Sequence, residues 1–353
     1  MTRQELTEWN VGENLDQIMN LDPRGYGVCR ILYEGSREYT GKPLTINGGE
    51  RLIEKVKAKD LVYIMTGFVL SPFMKAETDG AIGAVLLARA LVHTMGAKPV
   101  IICPEEAVKA IAACVRTAGL KAFENVDEVM ETDSSIGILS FTKDQKEAQR
   151  DAGDMLDRYK LPSAVIAIEA PGANEKGEYH NAIGLNVTAL EAKPDVLFRM
   201  LCQRGVMSLA IGDLGNEIGM GTIGAHIRKK IPYTDREECR CGCQGGILAD
   251  TKAEHIITAA TSDWGCYGLI GALAYLKKNM DIMQTPELEA RIIETACERD
   301  LIDMNGPGFQ GIDGFGVEMN VNVVRLMRSC VEYAMEYEKT GEHWFDGVIK
   351  KNY

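Results

Sequence analysis

Through the middle of the chain, apolar runs of strand length alternate with longer segments of helical period. Asp60 to Gly67, with Leu-Val-Tyr-Ile-Met-Thr inside, is apolar and β-branched enough to predict a buried strand. Ala81 to Met95 is apolar on nearly every side and closed by Gly96, the pattern of a helix buried against a sheet. The pairing recurs as strand Pro99 to Cys103 with helix Glu105 to Ala118, then strand Ile136 to Phe141 with helix Asp144 to Tyr159. Strand Ala164 to Ile168 follows, with a loop and a helix over Asp195 to Arg204, and then strands at Val206 to Ile211 and His255 to Ala260. Three helices close the pattern at Cys266 to Asn279, Pro286 to Arg299 and Asn320 to Lys339. Such repetition predicts βαβ units, hence an α/β fold with a mainly parallel or mixed sheet flanked by helices and preceded by an N-terminal arm.

The arm covers residues 1–50, with one short helical segment at Val11 to Met19 and a strong turn at Asp22-Pro23-Arg24-Gly25. It is expected to lie on a main α/β domain spanning 51–353, which opens with a helix at Arg51 to Ala58. The net charge of -12 argues against a nucleic acid or an anionic membrane surface as partner, since either would repel most of the protein. The first residues lack an apolar signal core, and no apolar run reaches spanning length, so the expectation is a soluble, cytoplasmic protein. Of the ten cysteines, most sit singly in apolar runs and read as small buried hydrophobes.

The candidate chemistry lies at the strand ends. Gly205 to Gly221 begins as a strand and ends as a polar loop that sets Asp213, Asn216 and Glu217 among Gly212, Gly215, Gly219 and Gly221. Other predicted strands are followed by Glu77 and Asp79, by Glu169, and by Asp263. In a parallel sheet these carboxylates share one edge, where mutual repulsion favours a cation among them. Oxygen-only ligands suit a hard divalent ion such as Mg²⁺ or Mn²⁺. The bland alternatives are a solvated glycine-rich turn and, for Asp79, a cap on the helix that follows it. Cys239, Cys241 and Cys243 invite zinc, but one-residue gaps suit a single tetrahedral ion poorly and no fourth Cys or His stands at finger-like spacing. A structural or reactive-thiol loop is the expectation there. No P-loop and no Gly-x-Ser-x-Gly elbow is present.

Ile-Gly-Asp-Leu-Gly-Asn-Glu-Ile-Gly-Met-Gly (211–221), Glu77-Thr78-Asp79-Gly80, Ser262-Asp263-Trp264-Gly265 and Gly311-Ile312-Asp313-Gly314 together resemble the C-terminal domain of D-glutamate cyclases, from about Pro43 to about Tyr333. The resemblance implies a hydro-lyase that converts D-glutamate to 5-oxo-D-proline and water with a divalent metal such as Mn²⁺. It implies Glu77, Asp79, Asp213 and Glu217 as metal ligands or their support. Glu169, Asp213, Glu217 and Asp263 would be catalytic, and Asn216, Asn181 and His180 would bind a small amino-acid substrate. A homo-oligomer is expected. Where the family segments carry arginines, near Ala170, Ala173 and Ile183, this chain is uncharged, which points to weak D-glutamate binding or a related amino acid. A metal-dependent hydrolase, of phosphate esters for instance, and a non-catalytic metal- or amino-acid-binding protein are the competing classes.

Overall fold

The computed structural model describes residues 2–340 and 346–352. Its centre is one sheet of seven strands: β1 Leu61–Thr66, β2 Lys98–Cys103, β3 Lys121–Phe123, β4 Ser135–Ser140, β5 Ala164–Ile168, β6 Met207–Gly212 and β7 His255–Thr258. They lie in the order β3-β4-β2-β1-β5-β6-β7, and every pairing is parallel. Alternation along β1 sends Val62 and Ile64 into one apolar cluster and Leu61, Tyr63 and Met65 into another, so the sheet is buried on both faces, as parallel sheets require. Helices Ala81–Met95, Glu105–Thr117 and Ser262–Lys277 supply the first cluster; Gln145–Arg158 and Pro194–Gln203 supply the second. The expected α/β fold is therefore present, with the sheet wholly parallel.

Strands β2 to β4 lie on one side of β1 and β5 to β7 on the other. The chain thus reverses direction between β1 and β5, and the loops leaving these two strands part there to open a crevice at their carboxyl ends. Glu169 is the first residue beyond β5, and the segment after β1 leads through Glu77 and Asp79 into helix Ala81–Met95.

At the N-terminus the structure departs from the single short helix predicted there. Three helices, Arg3–Met19, Val28–Thr40 and Leu44–Lys55, precede β1, and the third replaces the predicted Arg51 to Ala58 segment. They are knit together by Asp16, which is fully buried. Its carboxylate accepts from the amides of Leu44 (2.6 Å) and Thr45 (3.1 Å) and from the Thr45 hydroxyl (2.7 Å), capping the third helix from the first. Burial pushes that carboxyl up to about 6 despite these donors. Among the described residues, no helix is long and apolar enough to cross a membrane.

Candidate active site

Three of the expected carboxylates meet at the crevice. Asp79, Glu169 and Asp213, carried by the segments that leave β1, β5 and β6, place one oxygen each within 4.8 Å of one another. Asp79 is 1% and Glu169 8% exposed, while Asp213 is partly open. The approach of Glu169 depends on Gly80. A Cβ there would lie 2.4 Å from the Glu169 Cβ, and the Gly80 φ of +75° is one that L side chains rarely adopt. Glu169 itself holds a left-handed φ of 43°, strained for a residue with a side chain. Its Oε2 accepts from the Ser262 hydroxyl at 2.6 Å.

Crowding shows in the acidities. Burial, then the charges of Asp213, Glu217, Asp79 and Glu77, push Glu169 well above the carboxylate range. Burial and the neighbouring Asp313, Glu217 and Asp79 do the same to Asp213, opposed by Arg24. Asp79 is pushed up to about 6 by burial, against amide donors from Asp263, Ser262 and Gly80.

A cation also reaches the cluster, from the turn after the first helix. Arg24 Nη1 donates to Asp313 Oδ2 (2.6 Å) and to the Asp313 carbonyl (3.0 Å), and Nη2 donates to the Ala260 carbonyl (2.8 Å). Its Nε is buried without a partner among the described residues. Burial works to lower the Arg24 pKa, but Asp313, Asp213 and Asp79 outweigh it. Asp313 is pushed up to about 7, first by burial and then by Asp79, with Arg24 opposing. Arg24 thus brings an arginine to these carboxylates from the N-terminal segment. The uncharged Ala170 and Ala173 are buried among apolar side chains, and Ile183 is exposed. Arg24, Asp313 and Ser262 are outside the expected site set, although Asp313 and Ser262 lie in the motifs that carry the resemblance and Arg24 lies in the predicted turn.

The other expected site residues are placed differently. Glu217 is fully buried and accepts from the amides of Asp213 (2.8 Å), Leu214 (2.7 Å) and Gly215 (2.5 Å), so its carboxylate shapes the loop that presents Asp213. Asp263 is also buried, with Oδ1 accepting from the amides of Gly80 and Gly83, both at 2.8 Å. Glu77 is buried nearby, outside the group of three, and its carboxyl is raised by burial and by Asp313, Asp79, Asp303 and Glu191. Asn181 accepts from the amides of Ile183 and Leu185 and forms a turn. Asn216 donates to the His180 carbonyl at 3.0 Å. The His180 ring lies against the cysteine loop, where its ring nitrogen and the sulfurs of Cys239, Cys241 and Cys243 lie within 4.8 Å of one another. A fourth ligand-type side chain does join the three thiols, from 61 residues before Cys241 and far outside finger-like spacing.

Fold and site together define an α/β protein with a buried, cation-ready carboxylate cluster at the switch point of a parallel sheet. Residues 15–328 match the family described as D-glutamate cyclase-like, C-terminal, and the chain belongs to that family. The match reaches further into the N-terminal helices than Pro43 and takes in Arg24. Among curated relatives, the human mitochondrial D-glutamate cyclase is 34% identical over 113 residues, a stretch covering 32% of this chain and 17% of that protein.

Proposed function

We propose that this protein is a metal-dependent hydro-lyase that closes D-glutamate, or a closely related amino acid, to 5-oxo-D-proline and water. The observation that supports this best is the convergence of Asp79, Glu169 and Asp213 beside Arg24 in a chain of this family. The reaction joins the α-nitrogen to the γ-carboxyl carbon and breaks one of that carbon's C–O bonds. The oxygen leaves with two hydrogens from the ammonium group as water, and the third hydrogen stays on the lactam nitrogen. Nothing is oxidised and no nucleotide is consumed.

The donor set fits a hard divalent ion, since three carboxylates that resist ionisation together are oxygen donors for Mn²⁺ or Mg²⁺. Asp79, Glu169 and Asp213 would hold it. When bound, such an ion supplies Lewis acidity towards a carboxylate oxygen and offsets the negative charge of the pocket. The protein's own side chains account for the rest. Arg24, whose charge acts on Asp213 and Asp79 as well as on Asp313, anchors the substrate α-carboxylate and so sets the amine facing the γ-carboxyl, which removes much of the entropic barrier to ring closure. Asp313, whose acidity lies near neutrality, takes the two protons from the nitrogen in turn and passes each to the leaving oxygen. Glu217 and Asp263 position Asp213 and Asp79 without touching substrate.

Proton NMR of the purified chain with Mg²⁺, offered D-glutamate, L-glutamate and a phosphate ester in turn, tests the proposal. Ring formation from a glutamate isomer, lost together with Mn²⁺ affinity in Asp213→Asn, is the expected result. Turnover of the phosphate ester alone overturns it in favour of a hydrolase, and metal binding without turnover in favour of a binding protein.

A further inference from the structure

A second cluster lies apart from the carboxylates and has different chemistry. Cys239, Cys241 and Cys243 stand at alternate positions in the long excursion between β6 and β7, and His180 stands in the loop between β5 and β6. Sγ of Cys239 lies 3.6 Å from that of Cys241 and 3.4 Å from that of Cys243. His180 Nε2 lies 3.1 Å from Cys241 Sγ and 3.9 Å from Cys243 Sγ. A zinc tetrahedron with bonds of about 2.3 Å to sulfur and about 2.0 Å to nitrogen has edges of roughly 3.8 Å between sulfurs and roughly 3.5 Å from sulfur to nitrogen. The four atoms therefore already stand close to the corners of such a tetrahedron.

The local backbone explains how such tight spacing can serve one ion. Left-handed residues at Gly242 (φ 81°), Gln244 (φ 61°) and Gly246 (φ 68°) curl the segment so that consecutive thiols face a common point. Cys243 Sγ also lies 3.5 Å from Asn174 Nδ2 and 3.4 Å from the Gly245 amide, donors of the kind that stabilise a thiolate. All three cysteines are free thiols. His180 is only 2% exposed, so its ring is held in place before any ligand arrives.

We infer that His180, Cys239, Cys241 and Cys243 bind one zinc ion. Three thiolates and an imidazole are the soft, four-donor set of a closed structural site, whereas Mn²⁺ and Mg²⁺ prefer the oxygen cluster. The ion cross-links two long loops with few regular elements of their own. It also reaches the carboxylate site through one peptide group, because the His180 carbonyl accepts from Asn216 Nδ2 at 3.0 Å and Asn216 lies between Asp213 and Glu217. Zinc is thereby a positioning element for the loop that presents Asp213.

Elemental analysis of the reduced full chain, purified without a metal-affinity step, should find one equivalent of zinc. Replacement by Co²⁺ should give thiolate charge-transfer and tetrahedral ligand-field bands. Cys241→Ser, at the exposed member of the cluster, should lose both metal and bands, and Asp213→Asn should keep them. In the wild-type chain, which needs no variant to fold, alkylation mapped by mass spectrometry should spare residues 239, 241 and 243 until a chelator is added. Chelation should also weaken Mn²⁺ binding at the carboxylates several-fold. Absence of zinc and cobalt bands, equal alkylation with and without chelator, or a disulfide within the triplet overturns the zinc site. Unchanged Mn²⁺ affinity after zinc removal overturns the positioning role.

Discussion

Asp79 and Asp263 cap each other's helices. Asp79 accepts from the amides of Ser262 (3.1 Å) and Asp263 (2.9 Å) at the start of helix Ser262–Lys277, and Asp263 accepts from Gly80 and Gly83 around the start of helix Ala81–Met95. The sequence alternative for Asp79 is a cap on the helix just after it; Asp79 does accept from the Gly80 amide there (2.9 Å), but its other two amide donors belong to the helix that begins some 180 residues later. Each carboxylate is fixed by the helix that the other one stabilises.

This reciprocity predicts coupling. An N-terminal cap contributes about 0.5 to 2 kcal/mol, so Asp79→Ala and Asp263→Ala should each lower unfolding free energy by roughly that amount or somewhat more, given their burial. The double variant should lose less than the sum of the two by at least about 0.5 kcal/mol. Urea unfolding of the two single variants and the double variant measures this. Strict additivity would mean the two caps act independently.

Stability should fall with rising pH in chelator-treated protein. Asp79 is raised to about 6 and Asp313 to about 7 in the folded state, against about 4 in the unfolded chain. A folded state that binds more protons than the unfolded one is favoured fully below about pH 4 and loses that advantage as pH rises through 6 and 7. Thermal midpoints should therefore decline from about pH 5 to about pH 8. Mn²⁺ should flatten the decline, since it stabilises the ionised carboxylates and binds only the folded chain. A slope unchanged by the ion would argue that it binds elsewhere.

Removing Arg24 exposes what it balances. Arg24→Ala leaves Asp313 without its partner, and for a pair this enclosed the loss should be roughly 2 to 3 kcal/mol in metal-free protein. Arg24→Lys keeps the charge but not the fork of donors, so it should recover part of the stability while KM for the amino acid stays raised. Denaturation combined with steady-state kinetics on both variants separates the two effects. Equal KM in Arg24→Lys and wild type would remove Arg24 from substrate recognition.

Gly80 admits no side chain. Gly80→Ala combines a φ of +75° with a Cβ 2.4 Å from that of Glu169, so it should cost about 1 to 3 kcal/mol and weaken Mn²⁺ binding at least tenfold as Glu169 is displaced. Calorimetric titration of the variant with Mn²⁺ reads both consequences. Wild-type affinity in Gly80→Ala would show that Glu169 lies outside the ion's ligand set.

Legibility in the sequence followed burial. The six longer strands are apolar runs because parallel strands are covered on both faces, whereas β3, Lys121–Phe123, is three residues long at an exposed edge and gives no comparable signal. Helix Leu44–Lys55 hides behind Gly48 and Gly49, which suggest a loop. A Cβ on Gly48 would come within 3.1 Å of Leu209 and one on Gly49 within 3.1 Å of Leu276, so close packing explains the glycines. At the site, Asp79, Glu169 and Asp213 could be found because each follows a recognisable strand. Arg24 and the pairing of His180 with the cysteines could not, since no local periodicity links residues brought together only by the tertiary fold.

The link between Arg24 and Asp313 spans 289 positions, which has a bearing on how the protein comes to exist at the ribosome. A nascent chain presents Arg24 first and then Asp79, Glu169 and Asp213, and Asp313 emerges long after them. Until then the acidic pocket has its guanidinium but not the carboxylate that orients it. Full assembly of the pocket must wait until Asp313 has been made, so a ribosome stalled before Asp313 would display a sheet already paired around an unfinished centre.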